Sequence, residues 1–320
     1  MLSRGDGGLE KHVAELANAL SEVCQLTVIA DPKYKDSYSP AVDFKPVNAR
    51  LGRMNLKLAW QLKNIVDEVQ PDIIHAHAGK AACLVALIKP FVSAKLVVTR
   101  HNTTNPSAFY LKRFDARIAV SHKVAASEPR VNWHVVENGT HPLQASSPAI
   151  QLERPAIVTV GRLVKIKCLD HVLTAWDNPE AHLYIIGDGP ERSSLEQQVK
   201  NAKLTNVHFV GFTDKVGDYL TQADMMLMPS LKEGAPYAMV EALLAEVPVI
   251  CTDVGNARAL LPEQAIIEKE SPSAIKASID RCLDSPEDFK AEFEGSFAYA
   301  RENLTLEKML EKTYDVYKSL

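Results

Sequence analysis

The chain has no apolar run approaching the ~20 residues that a membrane-spanning helix needs, and no basic stretch leading into an apolar one at its start, as an export signal would show. Cysteine is sparse and scattered. The five residues Cys24, Cys83, Cys168, Cys251 and Cys282 are odd in number and form no C-x-x-C pair. Free thiols in a reducing cytoplasm are the simple account. No G-x-G-x-x-G follows a strand with an acidic residue ~20 positions later, which argues against a dinucleotide-dependent oxidoreductase. Metal-ligand patterning is also thin. His75 and His77 stand two apart and share a face if their strand continues, but the sequence places no third ligand, and no metal site is expected.

What remains is a chain of 320 residues, long enough for two domains of roughly 150 residues each. Its 46% hydrophobic and 24% charged content is ordinary for a globular protein. The net charge of −4 is unevenly spread: residues 1–143 hold 18 Lys and Arg against 13 Asp and Glu, so the remainder is acidic. A basic half suits an anionic acceptor or the inner face of a plasma membrane, and equally suits scatter with no partner. No nucleic-acid partner is expected.

Continuous apolar runs at residues 26–30, 73–76, 96–99, 118–120 and 134–136 read as strands of one unit. Runs at 156–160, 183–186, 208–210, 225–228, 247–251 and 265–267 read as strands of a second. Helical patterns lie between, among them 10–20, 56–69, 195–202 and 236–244. Continuous rather than alternating runs mean burial on both faces, hence parallel sheets covered by helices: a doubly wound α/β architecture. Residues 140–154, with Pro142, Ser146, Ser147 and Pro148, read as a linker between domains 1–143 and 144–304. A last helix, 305–320, is expected to cap the assembly or cross back to the first domain. One element is missing. Such a unit opens on a strand that leads into its first glycine loop, yet Gly5-Asp6-Gly7-Gly8 and its helix stand directly behind Met1. Loss of that central strand leaves backbone donors and acceptors unpaired unless another segment fills the gap.

The densest motif is Pro229–Ala242, where Glu233 and Glu241 bracket a Gly234-Ala235-Pro236 turn that opens an apolar helix. Pro236 suits the first helical position. The N–H groups behind it, with the helix dipole, favour an anion. A carboxylate beside such a pocket accepts hydrogen bonds from hydroxyls, so a ligand with both phosphate and sugar satisfies both halves. The plain alternative is a surface loop and an amphipathic helix. Val160-Gly161-Arg162-Leu163 ends a strand, with Lys165 and Lys167 in the loop after it, and ligands of open α/β sheets gather at strand carboxyl ends. Arg162 with a nearby lysine is suited to grip a diphosphate, unless both are solvated loop cations. Gly187 lies in the turn Ile186–Pro190, and Phe212 follows Gly211 after a further strand; each lines a nucleotide pocket or is plain turn chemistry. Gly7 and Gly8 precede a helix and permit close approach of an anion, or make an ordinary turn. His101, just past a strand, can bond a ligand hydroxyl or stabilise charge, or sit on the surface.

In this order the motifs resemble the GT-B-fold retaining glycosyltransferases of family GT4. They run from the glycine loop and strand-end histidine, through Asn138-Gly139, Val160–Leu163 with a downstream lysine, Gly187–Pro190, Gly211–Thr213 and Ala223-Asp224, to the E-x7-E unit Glu233–Glu241. The resemblance spans nearly the whole chain and implies two Rossmann-like domains facing a cleft. It implies transfer of a sugar from a UDP- or GDP-linked donor to an acceptor hydroxyl with retention and without a metal, through front-face attack. Arg162 and Lys167 would hold the diphosphate, Glu233 the donor-sugar hydroxyls, Gly234, Ala235 and Pro236 the sugar and distal phosphate, and Glu241 the ribose. His101 would meet the transferring sugar near its anomeric carbon, and Gly7 and Gly8 the diphosphate. No cofactor beyond the nucleotide-sugar co-substrate is implied, and the acceptor would be a glycan or lipid-linked glycan of the bacterial envelope, such as lipopolysaccharide core or capsule. The chain departs from the family at Cys168 and Glu246, where glycine is usual, and in lacking a glutamate after Gly255. The competing readings are a nucleotide-sugar epimerase of the same fold and a non-enzymatic two-lobed binding protein.

Overall fold

The computed structural model describes residues 1–3, 5, 7–103, 108–143 and 150–320. The predicted linker falls partly outside them, at residues 144–149. The chain divides into two compact units, Met1–Thr140 with Leu306–Leu320, and His141–Thr305.

In the first unit, β1 (Thr27–Ala30) pairs in parallel with β2 (Asp43–Pro46). A separate parallel sheet runs β3 (Ile73–His77), β4 (Lys95–Arg100), β5 (Ala116–Ala119), β6 (His134–Val135). Among the described residues no strand joins β1 to β3. The N-terminal amine of Met1 donates to the Ile29 carbonyl at 2.8 Å, and Leu2 packs with Leu58, Leu62, Leu84 and Leu96. The first two side chains are therefore buried in this unit. The helix Gly8–Leu20 buries His12, Val13, Leu16, Ala17 and Leu20, an i, i+3, i+4 stripe. The last helix, Leu306–Lys318, lays Leu306, Met309 and Val316 on Leu16, Leu20, Val97 and Ile118 of this unit. β2 was not anticipated from the sequence. Its Asp-Phe-Lys-Pro is neither a continuous apolar run nor a clean alternation, and proline is tolerated only at a sheet edge.

The second unit is one six-stranded parallel sheet. Its strands are β7 (Ala156–Val160), β8 (His182–Ile186), β9 (Val207–Gly211), β10 (Met225–Met228), β11 (Val249–Thr252) and β12 (Ile266–Ile267), in the spatial order β12-β11-β10-β7-β8-β9. β10 and β11 are buried along their whole length, and each such large side chain contributes about 1.5–3 kcal/mol of transfer free energy. From β7 the chain winds outward to β8 and β9, then returns to the other side of β7 as β10. The order therefore reverses between β7 and β10, and it is at such a switch point that ligands of doubly wound sheets bind, beyond the strand carboxyl ends.

Candidate active site

Three consecutive strand ends are locked together by glycines. Gly161 directly follows β7 at φ 152°, Gly187 directly follows β8 at φ 134° and Gly211 ends β9 at φ 86°. The Gly187 N–H donates to the Gly211 carbonyl at 2.8 Å, and the Gly161 N–H to the Ile186 carbonyl at 2.9 Å. A Cβ at Gly187 would lie 2.0 Å from the Gly161 carbonyl oxygen, and one at Gly189 would lie 2.3 Å from that of Leu163. Gly187 is thus required by backbone packing, whatever else it lines.

That packing shapes the loop after β7. Leu163 anchors it in the core, fully buried, while Arg162 is exposed and its guanidinium makes no hydrogen bond or ion pair among the described residues. Lys165–Lys167 form a short 3-10 turn that ends on Cys168 at φ 51°. The turn brings the Lys167 ammonium back over β7: a Cβ on Gly161 would sit 3.2 Å from Lys167 Nζ. A small cavity under this lysine is lined by Thr159, Gly161, Met228, Pro229 and Ser230, the ends of β7 and β10. Ser230 Oγ is buried there with no hydrogen bond among the described residues.

Across the switch point, Lys167 Nζ meets Glu233 Oε1 at 2.6 Å, with both side chains mostly buried. Glu233 Oε2 makes no hydrogen bond among the described residues, so one carboxylate oxygen remains to accept. The turn after Glu233 enters the helix Tyr237–Leu244, whose positive dipole end faces this turn. Pro236 is its N-cap, at φ −71° and ψ 124°, rather than its first helical residue. The extended ψ directs the Pro236 carbonyl along the helix to accept from Met239 N–H at 3.2 Å. The loop holding Gly255, at φ 54°, presses on this turn: a Cβ there would lie 2.9 Å from the Gly234 carbonyl oxygen. Glu241, one helical turn beyond Tyr237, is buried. Phe212 follows β9 with its ring 74% exposed.

The fold therefore brings Arg162, Lys167, Gly187, Glu233, Gly234, Ala235, Pro236 and Glu241 to the carboxyl edge of one sheet, around its switch point. Gly255 and Ser230 belong to the same edge and were missed as site residues. Their roles are close backbone approach and a buried hydroxyl, which leave no spacing signal.

The remaining expected site residues lie in the first unit. Gly7 is the N-cap of the helix Gly8–Leu20, and the Glu10 carboxylate lies beside it, 3.7 Å from where a Gly7 Cβ would be. Ser3 Oγ donates to that carboxylate. The anion-favouring end of this helix is therefore already supplied with a negative charge. His101 sits just past β4 within a histidine cluster: its ring centroid is 4.6 Å from that of His12 and 5.5 Å from that of His77. Burial holds all of these rings below the usual imidazole range, His12 at about 4 and His75 at about 3. His101 and His77 are likewise lowered, first by burial and then by neighbouring imidazoles. They are neutral at pH 7, so His101 is not a cation there.

Two family descriptions match the chain: glycosyltransferase family 4 over residues 6–141 and glycosyl transferases group 1 over residues 142–294. Among curated proteins it is similar to TuaC of Bacillus subtilis, a putative teichuronic acid biosynthesis glycosyltransferase, at 28% identity over 67% of this chain and 62% of that protein. It is also similar to LpsD of Rhizobium meliloti, a lipopolysaccharide core biosynthesis glycosyltransferase, at 24% identity over 88% of this chain and 86% of that protein. Its fold matches that of HepE from Anabaena, solved in complex with UDP-glucose, with a TM-score of 0.82 at 17% identity over 99% and 98% of the two chains. Sucrose-phosphate synthase from Thermosynechococcus elongatus matches with a TM-score of 0.86 at 19% identity over 98% and 93%.

Proposed function

The chain belongs to the family 4 (group 1) glycosyltransferases, and from that premise we propose that it moves a sugar from a UDP- or GDP-linked donor to an acceptor hydroxyl during bacterial envelope glycan synthesis. The observation that carries this reading is the Lys167–Glu233 pair at the switch point, beside Arg162 and the dipole end of the helix Tyr237–Leu244. The proposed assignment gives the cations to the diphosphate and the second carboxylate oxygen of Glu233 to the sugar hydroxyls. Glu241 takes the ribose, Phe212 the base side of the pocket, and His101 the transferring sugar as a neutral hydrogen-bonding group. Gly7 and Gly8 are assigned to the diphosphate, with Glu10 as a competitor for that helix end.

Retention and metal independence are part of the proposal. Leaving-group charge builds on the diphosphate, and guanidinium, ammonium and helix dipole stabilise it where another transferase uses a divalent cation. An oxocarbenium-like state with front-face attack needs no protein nucleophile. The similarity to proteins named for teichuronic acid and lipopolysaccharide core synthesis supports an envelope glycan as acceptor.

Association with an anionic membrane surface belongs to the same reading. Among the described residues no helix is long and apolar enough to cross a membrane. Yet Met54, Leu56 and Trp60 are 66%, 76% and 62% exposed at the start of the helix Leu56–Val69. Arg53, Lys57 and Lys63 stand among them, the Lys63 ammonium 5.6 Å from the Trp60 ring centroid. An apolar patch fringed by cations suits insertion at a headgroup layer.

The direct test is transfer from UDP- and GDP-sugars to envelope glycan acceptors by EDTA-treated protein, with the anomeric configuration of the product read by NMR. An α-linked product from an α-linked donor, formed in EDTA, is expected. An inverted product, or no turnover until Mg²⁺ or Mn²⁺ is restored, contradicts the mechanism.

A further inference from the structure

The first unit gathers a histidine cluster of which the transfer reading uses only His101. His12 comes from the helix Gly8–Leu20, His77 from the end of β3, and His101 from the residue after β4. Nitrogens of all three lie within 4.8 Å of one another. We propose that His12, His77 and His101 form a binding site for a borderline transition-metal cation such as Zn²⁺, and that its occupancy inhibits sugar transfer by engaging His101.

The geometry fits the ion. His77 Nδ1 and His101 Nε2 are 3.2 Å apart. Two Zn–N bonds of ~2.0–2.1 Å at a tetrahedral angle set their nitrogens about 3.3–3.4 Å apart; the two rings now share a hydrogen bond, so an ion enters once the donor imidazole moves its N–H to its other ring nitrogen and both lone pairs turn toward the ion. His12 supplies the third ligand, its nitrogen within 4.8 Å of the other two. Its Nδ1 lies 3.1 Å from Asn138 Oδ1, and an amide oxygen accepting from Nδ1–H leaves the Nε2 lone pair to coordinate. Such a partner orients a ligand imidazole and fixes its tautomer. His75 is not part of the site although its ring lies 4.2 Å from that of His77. Both its nitrogens are taken, by the Tyr317 hydroxyl at 2.5 Å and Thr99 Oγ1 at 2.7 Å. Three neutral nitrogens and no carboxylate select zinc, copper or nickel over calcium or magnesium. They leave a fourth position to water or an exogenous ligand, and His101 is exposed enough to admit it.

This is inhibition and not a metal requirement. A neutral His101 that donates or accepts hydrogen bonds on a sugar loses that capacity when its Nε2 binds a cation. The inhibitory half of the proposal rests on the role given to His101 under the proposed function; the binding half does not.

The test uses the full chain, stripped with EDTA and desalted, titrated with ZnCl₂ by calorimetry and with CoCl₂ by visible absorption. About one Zn²⁺ per chain, and the intense visible bands of a low-coordinate nitrogen site with Co²⁺, are expected. His77→Ala should weaken Zn²⁺ binding at least about tenfold and bleach the Co²⁺ bands. If that variant melts early, His101→Gln reads the same loss. His208→Ala removes the other candidate cluster, Glu153 with His182 and His208, and should leave binding intact. Unchanged Zn²⁺ binding in both His77→Ala and His101→Gln, or its loss in His208→Ala, overturns the site. Zn²⁺ binding without any fall in EDTA-reversible transfer overturns the inhibition while the site stands.

Discussion

Glu233→Gln tests the switch-point pair most sharply, because it removes a charge and keeps the shape. Glu233 Oε1 holds Lys167 Nζ at 2.6 Å, with the side chains 16% and 21% exposed. Two unit charges ~4 Å apart attract by about 1 kcal/mol in a water-like medium and about 4 kcal/mol at an effective dielectric of ~20. Desolvation cancels much of the larger figure, leaving about 1–2 kcal/mol that a diphosphate must offset to claim the ammonium. Releasing Lys167 should therefore tighten UDP or GDP binding about five- to thirtyfold, since 1.4 kcal/mol is tenfold. The sugar loses a charged acceptor at the same time, worth about 1.5–3 kcal/mol, so transfer should fall about tenfold or more. Calorimetry of nucleotide binding and a transfer assay on one preparation read the two effects. Opposite movement is the signature. If nucleotide affinity and transfer fall together, Lys167 is not competed for by Glu233 and the assignment of the pair is wrong.

Gly187→Ala should cost about 2–5 kcal/mol in urea unfolding, from overpacking and left-handed strain: its Cβ would meet the Gly161 carbonyl oxygen at 2.0 Å. A near-neutral result refutes the packed strand-end glycines. Glu246→Gly should stabilise by about 0.5–1 kcal/mol, because Glu246 holds φ 56° after the helix Tyr237–Leu244, with Val247 N–H on the Ala242 carbonyl at 2.9 Å. The half-exposed ion pair of Glu246 with Arg301 offsets part of the gain, so the stabilisation should grow at high salt, and destabilisation there contradicts the strain argument. Trp60→Ala should reduce co-flotation with anionic phospholipid vesicles several-fold without changing the melting temperature; unchanged flotation removes that patch from any membrane role.

The sequence disclosed the frame well where physics leaves a local trace. Strands buried on both faces read as nearly continuous apolar runs: β10 is one throughout, and β7 and β11 are broken only by Thr159 and Thr252. β2 was not legible, because an edge strand bearing a proline has no hydrophobic signature. The two departures from the family's glycines acquire a physical meaning here: Cys168 and Glu246 both occupy left-handed backbone at φ 51° and 56°, the region where glycine carries no Cβ penalty. What stayed hidden are contacts across distance. Sequence shows His75 and His77 as neighbours, but only the fold adds His12 and His101 and withdraws His75 to Tyr317. Likewise Lys167 and Glu233 were assigned to different parts of a ligand, while the fold pairs them.

The most direct trial of the account is a crystal structure of the protein soaked with a UDP- or GDP-sugar. The account predicts the diphosphate oxygens within hydrogen-bonding reach of Arg162 and Lys167, with a sugar hydroxyl on Glu233. A well-ordered donor bound anywhere away from these three residues would contradict it.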